Sequence, residues 1–213
     1  MPTRPALSPE RVVDAAVRVA DRGGLALVSM RNVGRELGVE AMSLYHHVAG
    51  KDALLDALAD RVFGEIGLPA PDRPWRPAMA DRAASARVVL SAHPWALGLV
   101  ESRRNPGPAL LRHHDAVLGC LRRNGFTVAM AAHAYSVLDA YVYGFVLTEV
   151  NLPFEPGEGP DEFVEALNLP VDAYPHLAEM VAEHVRGRDY AYAHEFEYGL
   201  ELILDGLAAR AGT

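Results

Sequence analysis

Residues Val28 to Lys51 read VSMRNVGRELGVEAMSLYHHVAGK, and their pattern decides the fold. Ser29 is placed to cap a helix in which Val33 and Leu37 lie one turn apart on a buried side. Gly38 ends that helix, because glycine enters the left-handed conformation favoured at a helix C-terminus. A second helix begins near Glu40 or Ala41 and turns Leu44 and Val48 inward. Its outer arc carries Met42, Ser43, Tyr45, His46 and His47, which apart from Met42 are polar or aromatic, with no acid among them. Two helices about a short turn, the second with a hydrogen-bonding outer face, have the shape of a DNA-reading helix-turn-helix. Periodicity alone is equally compatible with an αα-hairpin whose outer face is simply solvated.

The flanks extend this pattern. Met1 to Leu7 reads as a loose arm, with Arg4 available to a phosphate or a minor groove. Ser8-Pro9 opens a first helix, since serine caps and proline suits the first helical position. Val13, Ala16, Val17 and Ala20 form one buried stripe along it, and Gly23-Gly24 stops it. A fourth helix over 52–63 has Leu54, Leu55, Leu58 and Val62 inward and forms a lever from the helix-turn-helix into the rest of the chain. Pro69, Pro71, Pro74 and Pro77 then mark a boundary, dividing a head of residues 1–66 from a body of residues 67–213.

In the body, helices are expected over 75–91, 109–123 and 128–150, with a short segment after Pro94. Asn124-Gly125 closes the second of these. Residues 151–172 hold four prolines and read as a long loop with one turn around 162–167. Tyr174-Pro175 opens a helix to about residue 185, and a last helix covers 188–210. No stretch carries a strand pattern. The expectation is an all-α chain of nine or ten helices.

A chain of 213 residues is long enough to bury a substantial core. Its net charge of -8 is spread unevenly: residues 1–51 hold seven basic groups against five acids, which leaves -10 for the remainder. A mildly basic head on an acidic body suits a protein that touches phosphate at one end. Cys120 is the sole cysteine, which excludes an intrachain disulfide and a metal-thiolate cluster. The N-terminus lacks an apolar signal segment and no run reaches bilayer length, so a cytoplasmic protein with no membrane partner is expected.

There is no GxSxG, Gly-rich phosphate loop or HExxH, and no coherent Cys-His-acid set. That pattern points away from an enzyme, and no metal or other cofactor is assigned. Adjacent helical histidines chelate poorly, so His113-His114 is expected to be a solvated pair. An enzyme acting on a small molecule and a helical protein-interaction module remain the competing classes at this level.

Leu37-Gly38-Val39, Leu44-Tyr45, His47, Lys51 and Leu54-Leu55 resemble the tetracycline-repressor (TetR) family of transcriptional regulators, at that family's spacing. The run 38–59, GVEAMSLYHHVAGKDALLDALA, resembles the drug-responsive repressors for which the family is named. EFEYGLELILDGL, residues 195–207, resembles the family's last helix. The resemblance implies a ligand-responsive repressor that binds a palindromic double-stranded operator as a homodimer and is released by a small-molecule effector. The effector's identity is left open.

By matched position, Arg31, Ser43, Tyr45, His47 and Lys51 fall where the family touches DNA. Ala41 and Met42 stand where tetracycline repressors carry Gln and Pro, and His46 where they carry Trp. Ala41 has no hydrogen-bonding side chain, so an adenine contact is lost and a different operator is implied. The histidines that hold drug-bound magnesium in those repressors align approximately with Gly67 and Glu101, which argues against tetracycline itself. The family's two long C-terminal helices pair with their twins. Here that implies an interface on Ala132, Ser136, Ala140 and Gly144, with Gly199, Ile203 and Gly206 on the last helix. Packing of that small-residue ridge within one chain is the alternative. An effector cavity among residues 75–150 is expected to draw on Trp95, His113, Tyr135, Asp139 and Tyr143.

Overall fold

The computed structural model describes residues 6–100, 106–153, 164–165, 168–186 and 190–211. Ten α-helices run along them: α1 (Pro9–Leu27), α2 (Met30–Leu37), α3 (Ala41–Leu44), α4 (Lys51–Phe63), α5 (Trp75–Ala92), α6 (Leu97–Val100), α7 (Pro108–Arg123), α8 (Val128–Glu149), α9 (Pro175–Met180) and α10 (Ala193–Ala208). A 3-10 turn at Pro94–Ala96 leads into α6, and a π-helical turn at Val181–Val185 follows α9. No strand occurs among the described residues.

The helix starts follow the caps that the sequence supplies. Ser8 Oγ accepts the amide of Arg11 at 3.3 Å, Ser29 Oγ that of Asn32 at 3.2 Å, and Thr127 Oγ1 that of Met130 at 3.1 Å. In α1 the helical dihedrals fail at Gly23 and Gly24, as the glycine pair predicts, and a further turn carries the chain to Leu27.

The apolar stripes close into two cores. One gathers Val12, Ala16, Val33, Leu44, Leu54 and Leu58 from α1 to α4. The other gathers Phe63, Met79, Leu121, Leu138, Phe196 and Leu204 from α4, α5, α7, α8 and α10. Helix α4 belongs to both. Leu54, Leu58 and Ala59 lie in the first core, while Val62 and Phe63, one turn later, lie in the second. Arg87 pins the second core at its rim: its guanidinium sits 5.0 Å from the Phe145 ring centre and 4.8 Å from that of Phe196. The same group pairs with Glu149, so α5, α8 and α10 converge on one cation.

Two helix boundaries differ from the sequence expectation. Regular helix in α3 ends at Leu44 rather than running on to Val48. The amides of Tyr45 and His47 bond three residues back instead of four, and Glu40 provides no side-chain cap. Leu44 and Val48 are nevertheless both buried. The last helix begins at Ala193, not 188. Tertiary contacts hold its approach: Tyr192 stacks on Phe145 at 4.9 Å and Tyr190 packs edge-on against His184 at 5.2 Å. The loop turn expected over 162–167 lies largely outside the described residues, apart from a helical pair at 164–165. Arg4 and Glu101 lie outside them too.

Candidate nucleic-acid interface and effector site

The head presents a small, firmly braced reading surface. Gly38 adopts φ 64°, ψ 39°, the left-handed conformation that a side chain would resist, and its amide returns to Gly34 and Arg35. Gly34 is needed for a different reason: a Cβ there would stand 2.9 Å from the carbonyl oxygen of Val39, so α2 and the turn into α3 could not close. Beyond the turn, Met42 is 73% exposed, and Tyr45, His46, Arg31 and Lys51 are also exposed. Ala41, Ser43 and His47 are half-buried on the flank of the same arc. The eight residues of the expected reading surface thus lie in α2, in α3 with its following turn, and at the start of α4.

The head's charge is sorted as well. Arg18 Nε and Arg22 Nη2 both reach Glu36, at 2.9 and 2.5 Å. Arg22 first and Arg18 second hold the Glu36 carboxyl below the usual carboxylate range. Glu36 is thereby neutralised, while Arg31 and Lys51 stand exposed on α2 and at the start of α4.

The body holds a buried polar cluster. Arg82 in α5 is 2% exposed, His113 in α7 is 0%, and Asp139 in α8 is buried with them. Arg82 Nη2 lies 2.5 Å from Asp139 Oδ1, its Nε donates to His113 Nε2 at 3.1 Å, and Tyr143 donates to Asp139 Oδ2 at 3.2 Å. Tyr135 joins through His114 Nε2. Burial first, then the Arg82 cation, pushes the His113 pKa down to about 3, so it is neutral at physiological pH. Burial and Asp139 push both tyrosine hydroxyls up.

Four of the five expected effector residues, His113, Tyr135, Asp139 and Tyr143, are therefore drawn together, with His114 beside them. Two corrections follow. His113 and His114 are not a solvated pair, because the apolar face of α7 turns them into the body against Phe63 and Tyr135. Trp95 stands elsewhere: its indole Nε1 donates to Asp21 Oδ1 at 2.7 Å, and it packs between the two cores. His93 Nδ1 meets the same Asp21 oxygen at 2.7 Å, so this is a joint between α1 and the segment before α6.

Sequence reasoning missed Arg82, the centre of the cluster. An arginine in an alanine-rich helix reads as a solvated residue until its neighbours are known. It also missed Asp60, whose Oδ1 accepts the amides of Ala109 and Leu110 at the start of α7. Among the described residues, no group of three or more His, Cys, Asp or Glu side chains could hold a metal ion.

On the outer side of α8, Ala132, Ser136, Ala140 and Gly144 are all exposed, flanked by Val137 and Leu147. On α10 the arrangement differs from expectation. Gly199 faces Tyr141 of its own chain, Ile203 is half-buried against the body core, and Gly206 lies over Arg210. The exposed apolar residues there are Tyr198 at 68% and Leu202 at 59%. Their spacing of four residues marks the outward stripe.

A two-core all-α chain with a helix-turn-helix at one end and a buried polar cluster at the other defines a one-component regulator class. Residues 12–58 match the family described as "Bacterial regulatory proteins, tetR family", and residues 68–211 match "Tetracyclin repressor-like, C-terminal domain". The chain belongs to the TetR family of transcriptional regulators. It is 36% identical over 212 residues to an "HTH-type transcriptional regulator" of Saccharopolyspora erythraea, covering 99% of this chain and 88% of the relative. It is 35% identical to the "HTH-type transcriptional repressor DrrR1" of Streptomyces coeruleorubidus, covering 96% of this chain and 78% of that one. Among solved structures, ActR of Streptomyces coelicolor in complex with actinorhodin aligns at a TM-score of 0.78 and 28% identity, over 98% of this chain and all of that one.

Proposed function

We propose that this chain is an effector-gated repressor that binds an inverted-repeat operator as a twofold homodimer and releases it when a small molecule occupies the body. The observation that carries the reading is the double burial of α4. Because one helix is packed into both cores, a change in the packing of the body moves the reading surface. A ligand that binds better to the body of the non-binding conformation then lowers operator affinity by its differential affinity for the two states. The ActR–actinorhodin complex supports small-molecule control by likeness. The name of DrrR1 supports repression.

The division at Gly67 separates a reading head, residues 1–66, from an effector and dimerisation body, residues 67–213, with α4 crossing between them. The exposed face of α8 and the Tyr198–Leu202 stripe of α10 are the surfaces for the second copy. The dimer presents two copies of Ala41–His47 to half-sites about one helical turn, roughly 34–36 Å, apart or a multiple of that. The protein works without catalysis or cofactor, in the cytoplasm. No described helix is long and apolar enough to cross a membrane.

The test is selection of bound sequences from a random duplex pool, followed by salt titration on the selected operator. An inverted repeat bound with a steep salt dependence is the expected result. Recovery of no preferred sequence would overturn the reading.

A further inference from the structure

Helix α4 passes through both cores, and a single connecting helix is a hinge unless a second contact fixes the angle about it. That second contact is made at the end of α5. The backbone of His93 is held on both sides: its amide bonds to Val89 and Leu90, and its carbonyl accepts the amide of Ala96. The imidazole, 14% exposed, lies between two carboxylates. Nδ1 is 2.7 Å from Asp21 Oδ1 in α1, and Nε2 is 3.7 Å from Glu65 Oε2, just past α4. Trp95 stands edge-on to the ring at 5.8 Å and donates to the same Asp21 oxygen at 2.7 Å. Arg61 holds the other Glu65 oxygen at 2.6 Å and reaches Asp14 of α1 at 3.1 Å. The charged groups that face the ring among the described residues are thus Asp21 and Glu65, with Arg61 and Asp14 behind them.

A carboxylate only accepts, so Nδ1 carries its proton toward Asp21, and in the neutral ring the Nε2 lone pair points at Glu65. Two acceptors then face each other at a distance too long for a hydrogen bond. A second proton, on Nε2, turns that repulsion into attraction and draws α1, the end of α4 and the end of α5 together. We infer that His93 is a positioning residue, a proton-responsive clamp that fixes the angle between the reading head and the body. Histidine is the side chain that ordinarily changes charge between about pH 5 and 8. With the clamp closed, the head is held at one orientation. With it open, the head swings about α4. The consequence for DNA rests on the proposed operator reading: a closed clamp holds the two heads of a dimer at one separation, so the spacing of the half-sites is read strictly. His93, Asp21 and Glu65 lie outside the reading surface, so base preference within a half-site is untouched.

The experiment is dipolar spectroscopy of the full-length chain, which reports the head-to-body distance without DNA. Spin labels sit on Glu40→Cys in the head and Val88→Cys on α5, both exposed positions, with the buried Cys120 exchanged for Ala and labelled chains diluted in unlabelled ones. Between about pH 8 and about pH 5.5 the ratio of clamped to swung chains should rise about two- to fivefold, the range expected of one partly exposed ion pair. His93→Gln and Glu65→Gln should both abolish that response, and Glu65→Gln should keep the parent's distribution at the higher pH, because the bond to Asp21 remains. In parallel, affinity is measured for the selected operator and for one whose half-sites stand one base pair farther apart. The ratio of the two cancels whatever protonation of His46 and His47 does at the reading surface. It should sharpen by a similar factor at low pH in the parent and stay flat in both variants. A parent distribution that ignores pH, or a His93→Gln protein that responds like the parent, would overturn the clamp. A responsive distribution beside a flat operator ratio would overturn its part in spacing. A responsive distribution in a protein that binds no operator would count against the repressor reading alone.

Discussion

Asp60 Oδ1 accepts the backbone amide of Ala109 at 2.7 Å, so a side chain of α4 supplies the cap that α7 lacks. The same oxygen takes the amide of Leu110 at 3.1 Å. His113 follows one turn later in α7, and the reading surface starts immediately before α4. The cap therefore joins the two ends of the molecule through a single carboxylate. Asp60→Ala should lower stability by about 1 kcal/mol, the usual worth of a helix cap, with Asp60→Asn falling between. It should also reduce the ratio of operator affinities measured with and without bound ligand, because α7 and α4 would move independently. Thermal unfolding checks the first effect. An unchanged affinity ratio in Asp60→Ala would remove the cap from the coupling route.

The state of His113 makes a pH prediction. Its folded pKa of about 3 lies below the ordinary value near 6.5 that it regains on unfolding. Below about pH 6.5 the unfolded chain takes up a proton that the folded chain refuses, so stability is fully present above that pH and is lost as pH falls toward 3. The slope approaches one proton, or about 1.4 kcal/mol per pH unit. His114 is shifted down as well, burial leading, and acts in the same direction. Urea unfolding between pH 7 and 5, above the range where Glu36 contributes, should show this slope. It should be shallower in His113→Gln, even though that variant is less stable at pH 7. Parallel lines for the two proteins would refute the assignment.

These two residues also show what the sequence could and could not reveal. Val33, Leu37, Leu44 and Val48 announced two packed segments through period alone, and Gly38 marked the turn between them, because such signals are local. Asp139, Tyr143 and His113 could be picked out as polar residues in apolar helices. Arg82 and Asp60 could not, since their roles depend on partners 31 to 57 positions away. Trp95 was misplaced for the same reason. Its indole is bound by Asp21, 74 residues earlier, and only the fold brings them together. On α10, the family resemblance puts Gly199 on the interface between copies, and nothing local announces Tyr141 of its own chain lying against it.

The exposed ridge of α8 predicts self-association. Nothing lies within 4 Å of a Cβ added at Gly144, so Gly144→Trp should leave the isolated fold intact while overpacking a helix that approaches from a second copy. Leu202→Glu should weaken the same association by burying a charge. Sedimentation should find the parent protein dimeric at micromolar concentration and both variants shifted toward monomer with unchanged helicity by circular dichroism. A monomeric parent protein would eliminate the twofold arrangement.

The reading surface predicts a separation between affinity and preference. Lys51 is exposed at the first position of α4, and a phosphate contact is predicted for its ammonium. Lys51→Ala should weaken selected and scrambled duplexes alike and lower the salt slope by about 1. Met42, Tyr45 and His46 stand exposed on the arc proposed to enter the groove, while Ala41 is half-buried and has no polar atom in its side chain. Their substitutions should alter sequence preference by roughly 1–3 kcal/mol wherever a base contact is lost. Arg31→Ala belongs with Lys51 if α2 lies across the backbone, and with His46 if it reaches a base. Titration of each variant on both duplexes, at several salt concentrations, distinguishes these outcomes. A Lys51→Ala protein with altered preference, beside His46→Ala and Tyr45→Ala proteins with none, would reverse the roles assigned to α4 and the arc.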